Sequence, residues 1–393
     1  MHYDFDTIIE RRHTQSFKWD LAETLVGEKD VLPLWVADMD FQCPPAVAEA
    51  IQRRAEHGIY GYTAMPDSCY QAIINWMKKR HGWNIQKEWI VLTPGVVSGF
   101  HWAVKAYTHP GDNVIVQTPV YYPFFKAVKF NGCHIVENQL QCTNGRYEID
   151  FDDLERKFDS RTNVLLLCSP HNPVGRVWTR EELTRLANLC REHHVVLCSD
   201  EIHSDLIFRG CRHTPTAMIS EEIARHTVTC AAPNKTFNIA GLQTGFVIIS
   251  DPVLRDAFVN TKQNLGIGNM ANIFGMVAME AAYSQSEEWL EQLLDYLQGN
   301  LEFLLEFVQT RIPNIQVIKP EGTYLVWLDC RALPLEAEGL KSFMLKKAKV
   351  WLNDGAEFGS GGAGFQRLNL ACPRSILAEA LQRIEQAVKT LQR

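Results

Sequence analysis

The run His194-Val195-Val196-Leu197-Cys198-Ser199-Asp200 is a short apolar stretch that ends on a carboxylate. Apolar residues with no polar alternation read as a strand buried on both faces, the pattern of a parallel sheet. Three similar runs lie upstream: Ile90-Val91-Leu92-Thr93-Pro94, Val114-Ile115-Val116-Gln117 and Val164-Leu165-Leu166-Leu167-Cys168. Helical patterns separate them. Thr179 and Glu182, for example, form a capping box ahead of Leu183, Leu186, Ala187 and Cys190. The region from about Pro45 to Gln285 is therefore expected to alternate strands and helices, giving an α/β fold with a mostly parallel sheet covered on both faces. Such sheets bind ligands at the carboxyl ends of their strands, so the residues just after each run are where chemistry is sought.

Each of those positions carries a usable group. Asp200 would emerge at a strand end. Asn172, in Ser169-Pro170-His171-Asn172-Pro173-Val174-Gly175, is stiffened by a proline on either side. Tyr121 and Tyr122 follow the run at Val114, and Gly95, Val96 and Val97 open a helical pattern whose free N–H groups and positive dipole end suit a phosphate. Farther on, Ala232-Pro233-Asn234-Lys235-Thr236-Phe237-Asn238-Ile239-Ala240-Gly241 sets one lysine among small and amide residues with no evident countercharge. A lysine in that setting is a candidate Schiff-base nucleophile, provided burial or a neighbouring cation lowers its pKa from near 10.4. Taken singly, each group has a plain structural reading: a helix cap, a turn, a core aromatic or a surface lysine. Taken together they meet the needs of pyridoxal phosphate, which requires a lysine for its aldehyde, an acid on its ring nitrogen, a donor to its phenolate, an aromatic face and a phosphate cup.

With those residues in place, the chain resembles the fold-type I pyridoxal-phosphate enzymes of the aminotransferase class I and II superfamily over nearly its whole length. The strings LWVADMDF at Leu34 to Phe41, DEIHSDL at Asp200 to Leu206, KTFNIAGL at Lys235 to Leu242 and RLNLACP at Arg367 to Pro373 are similar to the cystathionine β-lyase, or carbon-sulfur lyase, branch related to the maltose-regulon modulator and cystalysin. The first string, and a histidine at position 203 where aminotransferases usually have tyrosine, mark that branch. The resemblance implies that Lys235 is the catalytic lysine and that Gly95, Val96, Tyr121, Asn172, Asp200, His203 and Asn234 hold the cofactor. Tyr62 matches the tyrosine that reaches the phosphate of a neighbouring subunit, which implies a homodimer with shared active sites. Arg367 matches the arginine that grips the substrate α-carboxylate through a planar fork, with Asn172, Trp35, Ala37 and Tyr121 also at the substrate. It further implies an N-terminal segment (1–45) packing with a small domain, a large cofactor-binding domain (46–285) and a smaller α+β C-terminal domain (286–393). Two departures stand out. Ala232 replaces a phosphate-holding hydroxyl, and Gln243 and Thr244 occupy the stretch where transaminases place a phosphate-neutralising arginine. More of that load is expected to fall on backbone, Tyr62 and Asn234.

Lys235 can serve two outcomes after removing a Cα proton. Expulsion of sulfur from Cβ gives pyruvate, ammonia and a thiol, whereas return of the proton to the cofactor gives transamination. The branch markers favour the β-lyase acting on cystathionine or a related cysteine S-conjugate. An aminotransferase, and a cofactor-binding regulatory protein that acts through a protein partner, are the alternatives.

The remaining sequence narrows the setting. A chain of 393 residues exceeds one hydrophobic core, so two lobes are expected. A net charge of -7 with no basic block argues against a nucleic-acid partner. Eleven cysteines without a CxxC pair read as reduced thiols, and the histidines lack zinc spacing, so no metal is expected. With no basic, apolar leader at Met1 to Asp6 and no apolar stretch of bilayer length, a cytoplasmic location without membrane contact is expected. Glu287 to Arg311 reads as one long amphipathic helix ended by Ile312-Pro313, Gly322 to Trp327 as a strand, and the segment from Ser375 as a final helix. Gly359-Ser360-Gly361-Gly362-Ala363-Gly364 reads as a flexible surface loop near the substrate mouth.

Overall fold

The computed structural model describes residues 2–268 and 272–391. Among them a seven-stranded sheet is formed by β1 (Ile90–Thr93), β2 (Asn113–Val116), β3 (His134–Glu137), β4 (Thr162–Cys168), β5 (Val196–Asp200), β6 (Thr227–Ala231) and β7 (Gly245–Ile248), in the order β1-β7-β6-β5-β4-β2-β3. β7 runs antiparallel to β1 and β6, and the other neighbours pair in parallel. The mostly parallel sheet expected from the apolar runs is thus present. β4 is buried along six of its seven residues, because helices cover both faces and leave no solvent side to mark with polar residues.

One core layer lies where α1 (Val96–Tyr107) and α2 (Pro123–Phe130) press Phe100, Val104, Phe124 and Val128 onto Val114, Val164 and Cys198. On the other face α3 (Arg180–Glu192) packs Leu183, Leu186 and Cys190 against Leu165, Leu167 and Leu197. Alternate residues of one strand therefore feed opposite layers, as the period of two requires. α3 begins at the expected capping box, with Thr179 accepting from the Glu182 N–H and Glu182 from the Thr179 N–H.

The helix α4 (Glu287–Arg311) has the bounds read from its periodicity, and Ile312 and Pro313 follow it. Beyond it β8 (Gln316–Ile318), β9 (Leu325–Asp329), β10 (Asn353–Asp354) and β11 (Phe365–Asn369) form an antiparallel sheet in the order β8-β9-β11-β10, and α5 (Arg374–Thr390) packs against α4. β9 starts later than the apolar pattern proposed, because Gly322 bridges to Ile207 and Thr323 donates its N–H to the Leu206 carbonyl. Upstream, Leu32 and Pro33 pair in parallel with Val350 and Trp351, which ties the N-terminal stretch to the C-terminal part of the chain.

The glycine-rich segment lies at the surface as expected, with Ser360, Gly361 and Ala363 exposed, but one of its glycines does not. Gly362 is buried, and a Cβ on it would stand 2.0 Å from the Gly355 carbonyl oxygen. At that position glycine allows two backbone segments to approach closely. Among the described residues no helix is long and apolar enough to cross a membrane, and all eleven cysteines are free thiols.

Candidate active site

The carboxyl ends of β2, β4, β5 and β6 face one way, because the strands are parallel and in register: Val116 beside Leu166, Cys168 beside Asp200, and Asp200 beside Cys230. The segments leaving those ends enclose a cavity of about 350 Å³ whose wall includes Gly95, Val96, Tyr121, Asn172, Asp200, His203, Asn234 and Lys235. Ala37, from the N-terminal stretch, closes the wall beside Lys235. Nine of the residues singled out from sequence therefore meet in one place.

Gly95 turns β1 into α1 at φ 142°, a backbone conformation that disfavours a side chain, and nothing lies within 4 Å of where its Cβ would be. No side chain caps this helix start. Helix geometry leaves the N–H groups of Val96, Val97 and Ser98 without intrahelical partners, and these residues line the cavity. Asn234, in the same wall, has a buried Oδ1 with no hydrogen-bond partner, and His203 likewise leaves Nδ1 unpartnered. Buried polar atoms of this kind are costly unless a ligand meets them. The wall thus offers amide donors for an oxyanion and side-chain amide and imidazole groups for a polar ring.

Asp200 is 3 % exposed and accepts one N–H, from Ile202 at 3.1 Å. Burial raises its pKa from 3.8 to about 7, against the smaller opposing effects of that N–H and of Lys235. A carboxylate in this state lacks a close cation, and a protonated ring nitrogen would supply one. Burial likewise lowers Lys235 from 10.5 to about 8; Asp38 and Asp200 pull it up, and Arg367 pushes it further down. The lysine without an evident countercharge in sequence thus has two carboxylates in its field. Its Nζ donates to the Ala37 carbonyl at 2.5 Å, and Tyr324 donates to the same oxygen at 2.8 Å. Burial drives the Tyr121 hydroxyl up and His203 well below its ordinary value, so both rings are neutral near pH 7.

Three sequence-predicted residues stand outside the wall. Arg367, 2 % exposed, sits behind Asn172, donating to its Oδ1 at 3.0 Å, to the Trp35 carbonyl at 2.8 Å and to Asn353 Oδ1. Trp35 does not present its ring to the cavity. The indole stacks on Trp351 at 4.1 Å between centroids, and it is the backbone carbonyl that reaches Arg367. Tyr62 is 95 % exposed and takes no part in the cavity of its own chain. Conversely, Ser98, Cys168, Ile202 and Gln243 line the cavity without having been singled out as site residues. Ser98, in the first turn after Gly95, was the legible one; Gln243 reaches the wall through a left-handed backbone at φ 46°, which no periodicity reveals.

A family model for aminotransferase class I and II matches residues 29–384. The chain is 47% identical over 386 residues to cystathionine beta-lyase PatB of Bacillus subtilis (strain 168), covering 98% of this chain and 100% of the relative. Protein MalY of Escherichia coli (strain K12) is 30% identical over 99% of this chain and 100% of its own. The crystal structure of cystalysin from Treponema denticola, which contains a pyridoxal 5'-phosphate cofactor, matches with a TM-score of 0.96 at 41% identity and covers 100% of both chains. Fold, cavity and full-length similarity agree: the chain belongs to the aminotransferase class I and II family.

Proposed function

We propose that this protein is a pyridoxal 5'-phosphate-dependent carbon-sulfur β-lyase that cleaves cystathionine or a related cysteine S-conjugate to pyruvate, ammonia and a thiol, working as a cytoplasmic homodimer. The observation that carries the reading is a buried primary amine, Lys235, sharing one cavity with a buried carboxylate, Asp200, and the open amino end of α1. The likeness to cystathionine beta-lyase PatB along the whole chain supports the choice of reaction.

The wall residues fit the cofactor. Val96, Val97, Ser98 and Asn234 would hold its phosphate, Asp200 its ring nitrogen, Asn172 and His203 its phenolate oxygen, and Tyr121 its ring face. When bound, the cofactor supplies an electrophilic aldehyde and an electron sink for charge developing at the substrate Cα. Lys235 would hold the cofactor's aldehyde carbon, and as the primary amine in the cavity wall it would be the base for the substrate Cα proton. With a pKa of about 8, roughly a tenth to a half of the amine is neutral between pH 7 and pH 8, which suits a base that later returns the proton. Arg367 would bind the α-carboxylate, its guanidinium already aimed by the Asn172, Trp35 and Asn353 oxygens. Asp200 would be held charged by a protonated ring nitrogen and would in turn keep that nitrogen protonated. Exposed Tyr62, together with Ile59 at 68 % and Tyr60 at 55 % exposure, supports a second copy that covers this surface and receives the tyrosine at its phosphate.

Incubation with cystathionine and no oxo acid tests the reading. Pyruvate and thiol are expected in equal amounts from the start. Silence until a 2-oxo acid is added would make the protein an aminotransferase.

A further inference from the structure

Lys18 is wholly buried yet lies outside the cavity wall. Its Nζ donates to Asp40 Oδ2 at 2.7 Å and to the Asp38 carbonyl at 3.4 Å. Asp40 also accepts from Trp19 Nε1 at 2.9 Å and from Arg11 at 2.6 Å, and Arg11 reaches Asp38 at 2.8 Å and the Met39 carbonyl at 3.1 Å. Lys18 and Asp40 are enclosed while Arg11 and Asp38 stay partly exposed at 23 % and 21 % of their side chains; enclosing the Lys18–Asp40 pair incurs a desolvation cost that an apolar core would avoid, so stability alone gives a weak account of it.

What the cluster grips is one short strap, residues 35–41, whose carbonyls are taken almost one by one. Trp35 accepts from Arg367, Val36 and Asp38 from Asn369, and Ala37 from Lys235 and Tyr324. Asn238 donates to the Met39 and Phe41 carbonyls and accepts the Met39 N–H. Asn238 lies three residues beyond Lys235 at φ 56°, so the strap is also tied to the lysine's own loop. The strap supplies the acceptor of the catalytic amine and one acceptor of the carboxylate-binding arginine from backbone alone. Its position is the only means by which the sequence can set those two oxygens.

We propose that Lys18, Arg11 and Asp40 are positioning residues that hold the strap in place, so that the Ala37 carbonyl orients the Lys235 amine and the Trp35 carbonyl orients Arg367. This rests on the function proposed above. The charged groups in the field of Lys235 are Asp38 on the strap, Asp200 at the end of β5 and Arg367 on β11, with neutral His203 in the wall. A slack strap moves the first of these.

Lys18→Met and Arg11→Gln, each as cofactor-loaded protein, test the proposal through the pH midpoint of the cofactor absorbance band and through kcat and KM measured separately. The expected result is a midpoint lowered by about half a pH unit or more, because the Asp38 carboxylate no longer stands where it favours the protonated nitrogen. A kcat loss of about 10- to 100-fold should accompany it, as displacement of a reacting group by about 1 Å produces. Lys18→Met/Asp40→Asn removes both buried charges and so answers for Lys18→Met should the single variant not fold. It is expected to melt near wild type while keeping the lowered midpoint. Folded variants with wild-type midpoint and kcat, or a double variant that regains both, overturn the proposal. Wild-type protein that shows no cofactor band sinks the proposed function instead, so the two failures are distinct.

Discussion

Asp200→Asn should stabilise the cofactor-free protein while ruining it as a catalyst. The carboxylate is 3 % exposed and receives a single N–H, from Ile202, which an asparagine Oδ1 can still accept. Its pKa of about 7, against an ordinary 3.8, means that the folded cofactor-free protein holds this proton more tightly than the unfolded chain does. The stability contribution is therefore full below about pH 4, declines as pH rises, and is lost once pH passes about 7. At about 1.4 kcal/mol per pH unit the whole effect is about 4 kcal/mol, of which about 2–3 kcal/mol develops between pH 5 and pH 8. Asparagine carries no such burden. Urea unfolding of cofactor-free wild type and variant at the two pH values should show the variant's advantage growing by that amount at the higher pH. With cofactor bound, the ring nitrogen pairs with Asp200, the advantage should vanish, and turnover of the variant should be nearly lost. An advantage equal at both pH values, or a variant less stable at pH 8, would refute the picture of an unpaired buried carboxylate awaiting a cation.

Other outcomes follow from the same geometry. Arg367→Lys loses the planar fork and the bonds to Trp35 and Asn353, so kcat/KM should fall by roughly 2–3 kcal/mol, mostly through KM; a kcat loss with unchanged KM would argue against carboxylate binding. Tyr62→Phe should weaken cofactor retention about 10- to 100-fold, as loss of a hydrogen bond to a charged group implies, and leave the unfolding of the cofactor-free protein unchanged because phenylalanine keeps the ring that a second copy would cover. Equal cofactor dissociation rates in variant and wild type would remove the shared site. The kcat–pH profile should have an acid limb reflecting the Lys235 amine, whose pKa of about 8 rests on burial; a flat profile down to pH 6 would assign the proton to another group.

The parts of this molecule that were legible in sequence are those in which side chains carry the signal. Unbroken apolar runs located β1, β2, β4 and β5, and the capping box at Thr179 located α3, because burial on two faces and an orphan helix N–H each demand particular residue types. The same holds for the cavity: Lys235, Asp200 and Asn172 could be named because each follows a run whose end faces ligand. What stayed hidden was built from backbone. The Ala37 carbonyl on Lys235 and the Trp35 carbonyl on Arg367 have no residue-type signature, since any amino acid brings a carbonyl. Lys18 carries no signal in sequence, because its enclosure depends on Asp40, Trp19 and the strap meeting in space. Gly362 read as one member of a loose glycine-rich run, yet the Gly355 carbonyl leaves no room for a Cβ on it, for composition cannot distinguish a glycine in a loose loop from one that lets two backbones touch.

Borohydride reduction of the cofactor-loaded protein followed by peptide mass mapping locates the covalent attachment of the cofactor aldehyde. The reduced cofactor is expected on the peptide that contains Lys235, and Lys235→Ala is expected to carry no label and to have no lyase turnover. Label on a different lysine, or an alanine variant that still binds cofactor covalently and turns over, would contradict it.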